Sequence, residues 1–137
     1  MSTRVLYRIA AVLIFLFDVG HTAGYPWTDP AWGAAPAIMR SGHFQVFGFT
    51  RTYWDFYVGF GLFVSVFLLL AAILAWQLGS LPPQTLPLLR VTAWSLALSF
   101  AAVSVLSCLY FFAIPIVFSF VITVFLVGAV SLTRPGV

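Results

Sequence analysis

Between Arg90 and Arg134 the chain runs for 43 residues without a charged side chain, about twice the length one helix needs to cross the hydrocarbon core of a bilayer. Two helices joined by a tight turn are the simplest way to use such a stretch, and a water-soluble fold has no surface to spare for it. The rest of the chain points the same way: 63% of its 137 residues are hydrophobic and 7% are charged, against about a quarter charged in an ordinary soluble domain. Six arginines and three aspartates, with no lysine or glutamate, would have to cover the whole surface. The bilayer is therefore the solvent for most of this chain. At roughly 20 apolar residues per span, it has room for about four spans and none for a soluble catalytic domain. The expected fold is all-α, a single transmembrane domain over 1–137 built as a four-helix bundle with a long interfacial loop between helices 1 and 2.

The second span is the clearest, about 56–78, free of charge and closed by the breakers Gly79, Ser80, Pro82, Pro83 and Pro87. The third is expected near 91–112 and the fourth near 115–132, with Pro115 marking the turn, because proline suits the first turn of a helix and disfavours helix in the residue before it. The first span, about 5–25, carries Arg8 near its start and Asp18, Gly20, His21 and Thr22 toward its end. Arg4 and Arg8 before a short apolar run also fit a secretory leader. Cleavage after Ala23 would put His21 where a small residue belongs, so an uncleaved span is the expectation. Arginines set the orientation: Arg4, Arg8, Arg90 and Arg134 fall on one side, Arg40 and Arg51 on the other, which places both termini in the cytoplasm. Tyr25, Trp27, Trp32, Tyr53, Trp54 and Tyr57 cluster at the ends of the first loop, as amphipathic rings do at headgroup level.

Nearly all the chemistry lies between Asp18 and Asp55. On a helix Asp18, His21 and Thr22 are spaced i, i+3, i+4 and share one face. An ionised aspartate inside a span costs roughly 2.5 to 3.5 kcal/mol on insertion scales and usually faces a partner or a water-filled cavity. A carboxylate beside an imidazole can set its tautomer and poise it for proton transfer, which makes Asp18 and His21 the candidate catalytic pair. The competing reading is that the two satisfy each other, or that Asp18 pairs with Arg51. Thr52-x-x-Asp55 before an apolar run matches a capping box, and Arg51 lies one turn from Asp55. His43, Arg51, Tyr53 and Asp55 are the candidate ligand-binding residues.

Other signals argue against further functions. The arginines form no stripe for a phosphate backbone, so no nucleic acid is expected. Two histidines without short spacing, a second cysteine or an acidic pair predict no metal and no cofactor. Cys108, alone among apolar neighbours, reads as packing. Ser95, Ser99 and Ser107 share a face of the third span with alanines nearby, and Gly61 with Ser65 makes a similar small pair, both suited to close helix contact. Gly59 and Gly61 allow a close approach by another helix or by a ligand.

Gly20-His21-Thr22-x-Gly24, His43-Phe44, Phe49-x-Arg51, Asp55-Phe56-Tyr57-x-Gly59-Phe60-Gly61-Leu62 and Trp76-x-Leu78-Gly79 together resemble a family of small bacterial four-helix inner-membrane proteins, over roughly the first 80 residues. The resemblance implies four spans and a bacterial inner-membrane address, and it implies no activity. Two functions remain open. One is a site near the outer face for a hydrophobic small molecule or lipid such as a quinone, polyprenyl or sterol-like lipid, with acid-base isomerisation or cyclisation as the chemistry its residues would support. The other is a non-enzymatic accessory subunit or transport component whose polar cluster locks helices together. Expected partners are membrane lipids, the hydrophobic ligand, and a second copy or another membrane chain.

Overall fold

A computed structural model describes residues 2–24, 27 and 30–133. Among these are five α-helices and two strands: α1 (Thr3–Gly24), α2 (Ala35–Ser41), β1 (His43–Val46), β2 (Phe49–Thr52), α3 (Tyr53–Ser80), α4 (Arg90–Tyr110) and α5 (Ala113–Ser131). Helices α1, α3 and α5, and α4 together with the 3-10 turn before it, are each long and apolar enough to cross a membrane, so this is a multi-pass membrane protein. Tyr25, where the expected first span ends, and Arg134, which entered the charge count, lie outside the described residues.

The expected all-α fold holds for the spans and fails for the first loop. Its second half folds into α2 and an antiparallel hairpin with His43 opposite Thr52, Phe44 opposite Arg51, Gln45 opposite Thr50 and Val46 opposite Phe49. The reason is period-two alternation: Phe44, Val46, Phe49 and Arg51 share one face, and His43, Gln45, Thr50 and Thr52 the other. Phe47 and Gly48 close it as a two-residue turn with φ of 48° and 83°, the pattern of a type I′ turn. Glycine takes this conformation freely, whereas a side-chain-bearing residue there costs about 1–2 kcal/mol. The final turn is also shifted: α4 stops at Tyr110, Phe111 and Phe112 make the turn, and Pro115 lies at the third position of α5. There its missing N–H costs nothing, because first-turn amides have no intrahelical acceptor.

The chain divides into two compact units, Met1–Phe17 with Leu68–Val137, and Asp18–Phe67. In the first, a core of buried side chains draws on all four long helices, and seven of its eighteen members are alanine: Ala10, Ala11, Ala72, Ala75, Ala93, Ala97 and Ala129. Lipid tails are as apolar as leucine, so helices in a bilayer associate through close packing of small residues. Gly79 shows how close: a Cβ there would stand 3.1 Å from the Arg4 carbonyl and 3.2 Å from the Arg8 nitrogen. At the same end, Arg4 Nε donates to the Leu81 carbonyl at 2.8 Å, and the Arg8 guanidinium lies 5.5 Å from the centre of the Trp76 ring. Two cations thus meet the negative end of the α3 dipole. On α4 the buried face is Ala93, Leu96, Ala97 and Phe100. Ser95 and Ser99 are exposed, which corrects their assignment to a packing face, while Ser107 is buried and Ser104 lies 3.1 Å from Thr123 of α5.

In the second unit the hairpin runs into α3 without a linker, and Thr52 and Asp55 form the expected capping box. The Thr52 amide donates to Asp55 Oδ2 at 2.7 Å and the Asp55 amide to Thr52 Oγ1 at 3.0 Å. With 28 residues, α3 is about 42 Å long and exceeds a hydrocarbon core of about 30 Å by some two turns. The Arg40 guanidinium stacks 4.0 Å from the centre of the Trp54 ring. Tyr57 meets Trp54 and Trp32 at 5.1 and 5.4 Å between ring centres.

Candidate functional site

Every candidate site residue lies in the unit Asp18–Phe67, and the structure sorts them into two groups by the faces of α3. At 100° per residue, Gly59 and Gly61 are about 200° apart and look in nearly opposite directions. The Gly61 carbonyl accepts from His21 near the end of α1, whereas a Cβ on Gly59 would meet nothing within 4 Å. Gly61 thus takes part in the contact with α1 through its carbonyl, while Gly59 leaves open space beside the helix.

On the Gly61 face, Asp18 is buried, and its hydrogen-bond partner is Thr22 rather than His21, with Thr22 Oγ1 3.2 Å from Asp18 Oδ1. The same hydroxyl lies 2.7 Å from Ser65 Oγ, and Ser65 in turn donates to the Gly61 carbonyl at 3.4 Å. One hydroxyl has one proton to give, so this chain has two directions. With a proton on Asp18 it runs from Asp18 through Thr22 and Ser65 to Gly61; without it, Ser65 donates to Thr22 and Thr22 to the carboxylate. His21 Nε2 donates to the Gly61 carbonyl at 3.0 Å, which places the proton of a neutral ring on that nitrogen. Ser65 and Thr22 are members of this group that sequence reasoning did not pair. Their signal was present in the small polar residues at one-turn spacing from Asp18 and Gly61.

On the opposite face, Arg51, Asp55, Phe56, Gly59, Phe60 and Phe63 line an open groove of about 210 Å³. Its walls follow from helix geometry: Asp55, Gly59 and Phe63 form one i, i+4, i+8 row, and Phe56 with Phe60 the adjacent one. The charges sit at its upper end and only apolar groups lie further along. Asp55, held by the capping box, stands in the fields of both Arg51 and His43. No Arg51–Asp55 ion pair forms. Arg51 donates one hydrogen bond, to the Thr50 carbonyl at 2.8 Å, and its guanidinium stands 5.4 Å from the centre of the Phe49 ring. Of the five N–H donors on a guanidinium, that leaves four for something else. His43 donates from Nδ1 to the Ser41 carbonyl at 2.7 Å, which leaves Nε2 available.

Tyr53 plays another part. Its ring packs 5.1 Å from Phe44 and against Gly42, where an added Cβ would stand 2.9 Å from its Cδ2. It braces the hairpin and does not line the groove. Among the described residues no three histidine, cysteine or acidic side chains come together as metal ligands.

Comparison with family models, with curated proteins and with solved structures finds no match to this chain. The functional reading therefore stands on the site itself.

Proposed function

We propose that the chain is a four-helix bundle of the bacterial inner membrane, with both termini cytoplasmic, that binds an amphiphile with an anionic head and an apolar tail in the groove on α3. Four arginines against two across the spans support the orientation, and the residues shared with small bacterial four-helix proteins support the address. The ligand reading rests on one observation. A guanidinium with most of its donors unused stands at the head of a trough floored by a glycine and walled by phenylalanines. Arginine suits phosphate and carboxylate heads, which its planar fork binds through two parallel bonds. Below it, Gly59 keeps the trough open at a helix-propensity cost of about 1 kcal/mol relative to alanine.

Acid-base chemistry at Asp18 and His21 is the weaker reading, because the two groups bond to different partners, Thr22 and the Gly61 carbonyl. A helix-locking role suits that cluster better, since among the described residues no buried side-chain nitrogen or oxygen lacks a partner. This is also what an accessory subunit would need.

The test is native mass spectrometry of protein extracted in mild detergent. Wild type should carry a lipid or other amphiphile in a fixed ratio, and both Arg51→Gln and Gly59→Leu should lose it, while Ser65→Ala keeps it. Equal adducts on all four proteins would sink the groove as a binding site.

A further inference from the structure

The hairpin has a feature that neither the groove nor the helix-locking cluster uses. Phe47, at its tip, is 98% exposed and holds a left-handed backbone, φ 48°, at a position where asparagine, aspartate or glycine is preferred. Val46 and Phe49 on either side are 40% and 61% exposed. An aqueous turn would gain by replacing this ring with asparagine, both in backbone strain and in solvation. We infer that the hairpin is a membrane anchor: it lies in the interfacial layer of the leaflet that α3 enters, and Phe47 inserts among the lipid chains.

Three observations fix the occupant as lipid. The apolar face of the hairpin is folded against the side of α3 rather than standing above it, because Phe44 contacts both Tyr53 and, one turn further into the span, Phe56, each 5.1 Å between ring centres. That face therefore continues the apolar surface of a helix already long and apolar enough to cross the membrane, and no linker lets it leave. Three tip side chains also fall well short of the roughly 800 Å² per partner that a stable protein interface buries. The charges agree, since Arg40 and Arg51 flank the hairpin and suit lipid phosphates. Depth is limited by the backbone: both strands have an unpaired edge, and free N–H and C=O groups are not tolerated in hydrocarbon. The strands therefore stay at the headgroup boundary, and only the tip side chains reach the acyl region. Such an anchor would hold the start of α3, and with it the mouth of the groove, at a set depth. The inference stands whether or not the groove is occupied.

The experiment is spin-label accessibility in vesicles of phosphatidylethanolamine and phosphatidylglycerol, in a Cys108→Ala background that removes the exposed native thiol. A nitroxide at Phe47→Cys should collide with oxygen, which partitions into lipid, several-fold more than with a water-soluble nickel chelate. A nitroxide at Thr50→Cys, on the polar face, should show the reverse. Nickel collisions at position 47 equal to those at 50 would put the tip in water, and shielding of position 47 from both reagents would put it against protein; either result overturns the anchor. Phe47→Asn, which suits the same turn, provides the second readout. It should raise nickel collisions of a label at Phe49→Cys several-fold, and an unchanged Phe49→Cys signal would show that the ring anchors nothing.

Discussion

In the unit formed by Met1–Phe17 and Leu68–Val137, all four long helices contribute buried apolar side chains to one core, and its polar contacts are mostly single hydroxyls returning to their own helix. In the unit Asp18–Phe67, the buried ones among the described residues are Asp18 and Pro36, and α1 is joined to α3 there by a chain of hydrogen bonds through Asp18, Thr22, Ser65, His21 and Gly61. The contrast follows from the solvent. Apolar contact between helices gains little over contact with lipid, so one unit relies on the close fit of small residues and the other on polar groups that have no better partner in hydrocarbon. The polar solution leaves the outer faces of its helices free, and one of those faces carries the groove.

That contrast can be tested at single residues. The largest effect is expected from Leu126→Ala, at a fully buried position. Only the packing and cavity part of the usual cost applies in a bilayer, so a loss of about 2–3 kcal/mol is expected, measured by titrating denaturing detergent into mixed micelles. Next come two glycines of α3, the buried Gly79 and the half-buried Gly59. Gly79→Ala forces a Cβ against the Arg4 and Arg8 backbone and should destabilise by about 1–3 kcal/mol, whereas Gly59→Ala meets open space and should be neutral or stabilising by up to about 1 kcal/mol. Equal effects of the two would erase the distinction between a packed and an open face of α3. The smallest effect belongs to the polar unit: a Thr22→Ala, Ser65→Ala double-mutant cycle should give a coupling of about 0.6 kcal/mol, typical of hydrogen bonds between membrane helices. A coupling near zero would mean that the 2.7 Å contact contributes nothing to holding α1 against α3.

Much of this was legible in the residues. Apolar length located the four spans to within a few residues, although the first carries Arg8 and Asp18, because hydrophobic length is a strong local signal and the bilayer allows few alternatives. The capping box at Thr52 and Asp55 was legible for a similar reason, since both partners lie within one turn of each other. The hairpin was harder to read. Its alternation spans only four residues per strand, and its turn carries phenylalanine where asparagine or aspartate would have announced it. Asp18 stood out as a polar residue in a span, yet its partner was not the histidine three residues along but the threonine four along, a choice made by where α3 places Ser65 and the Gly61 carbonyl.

What the sequence by itself determined is therefore the solvent, the number of spans and the identity of the polar residues, all of which depend on composition and short-range spacing. Which of those residues meet was decided only in the tertiary structure. Side chains two positions apart on α3 face opposite ways, so neighbours in the chain such as Gly59 and Gly61 serve different sites. Residues distant in the chain, such as Thr22 and Ser65, share one, because their contact exists only once the two helices lie side by side.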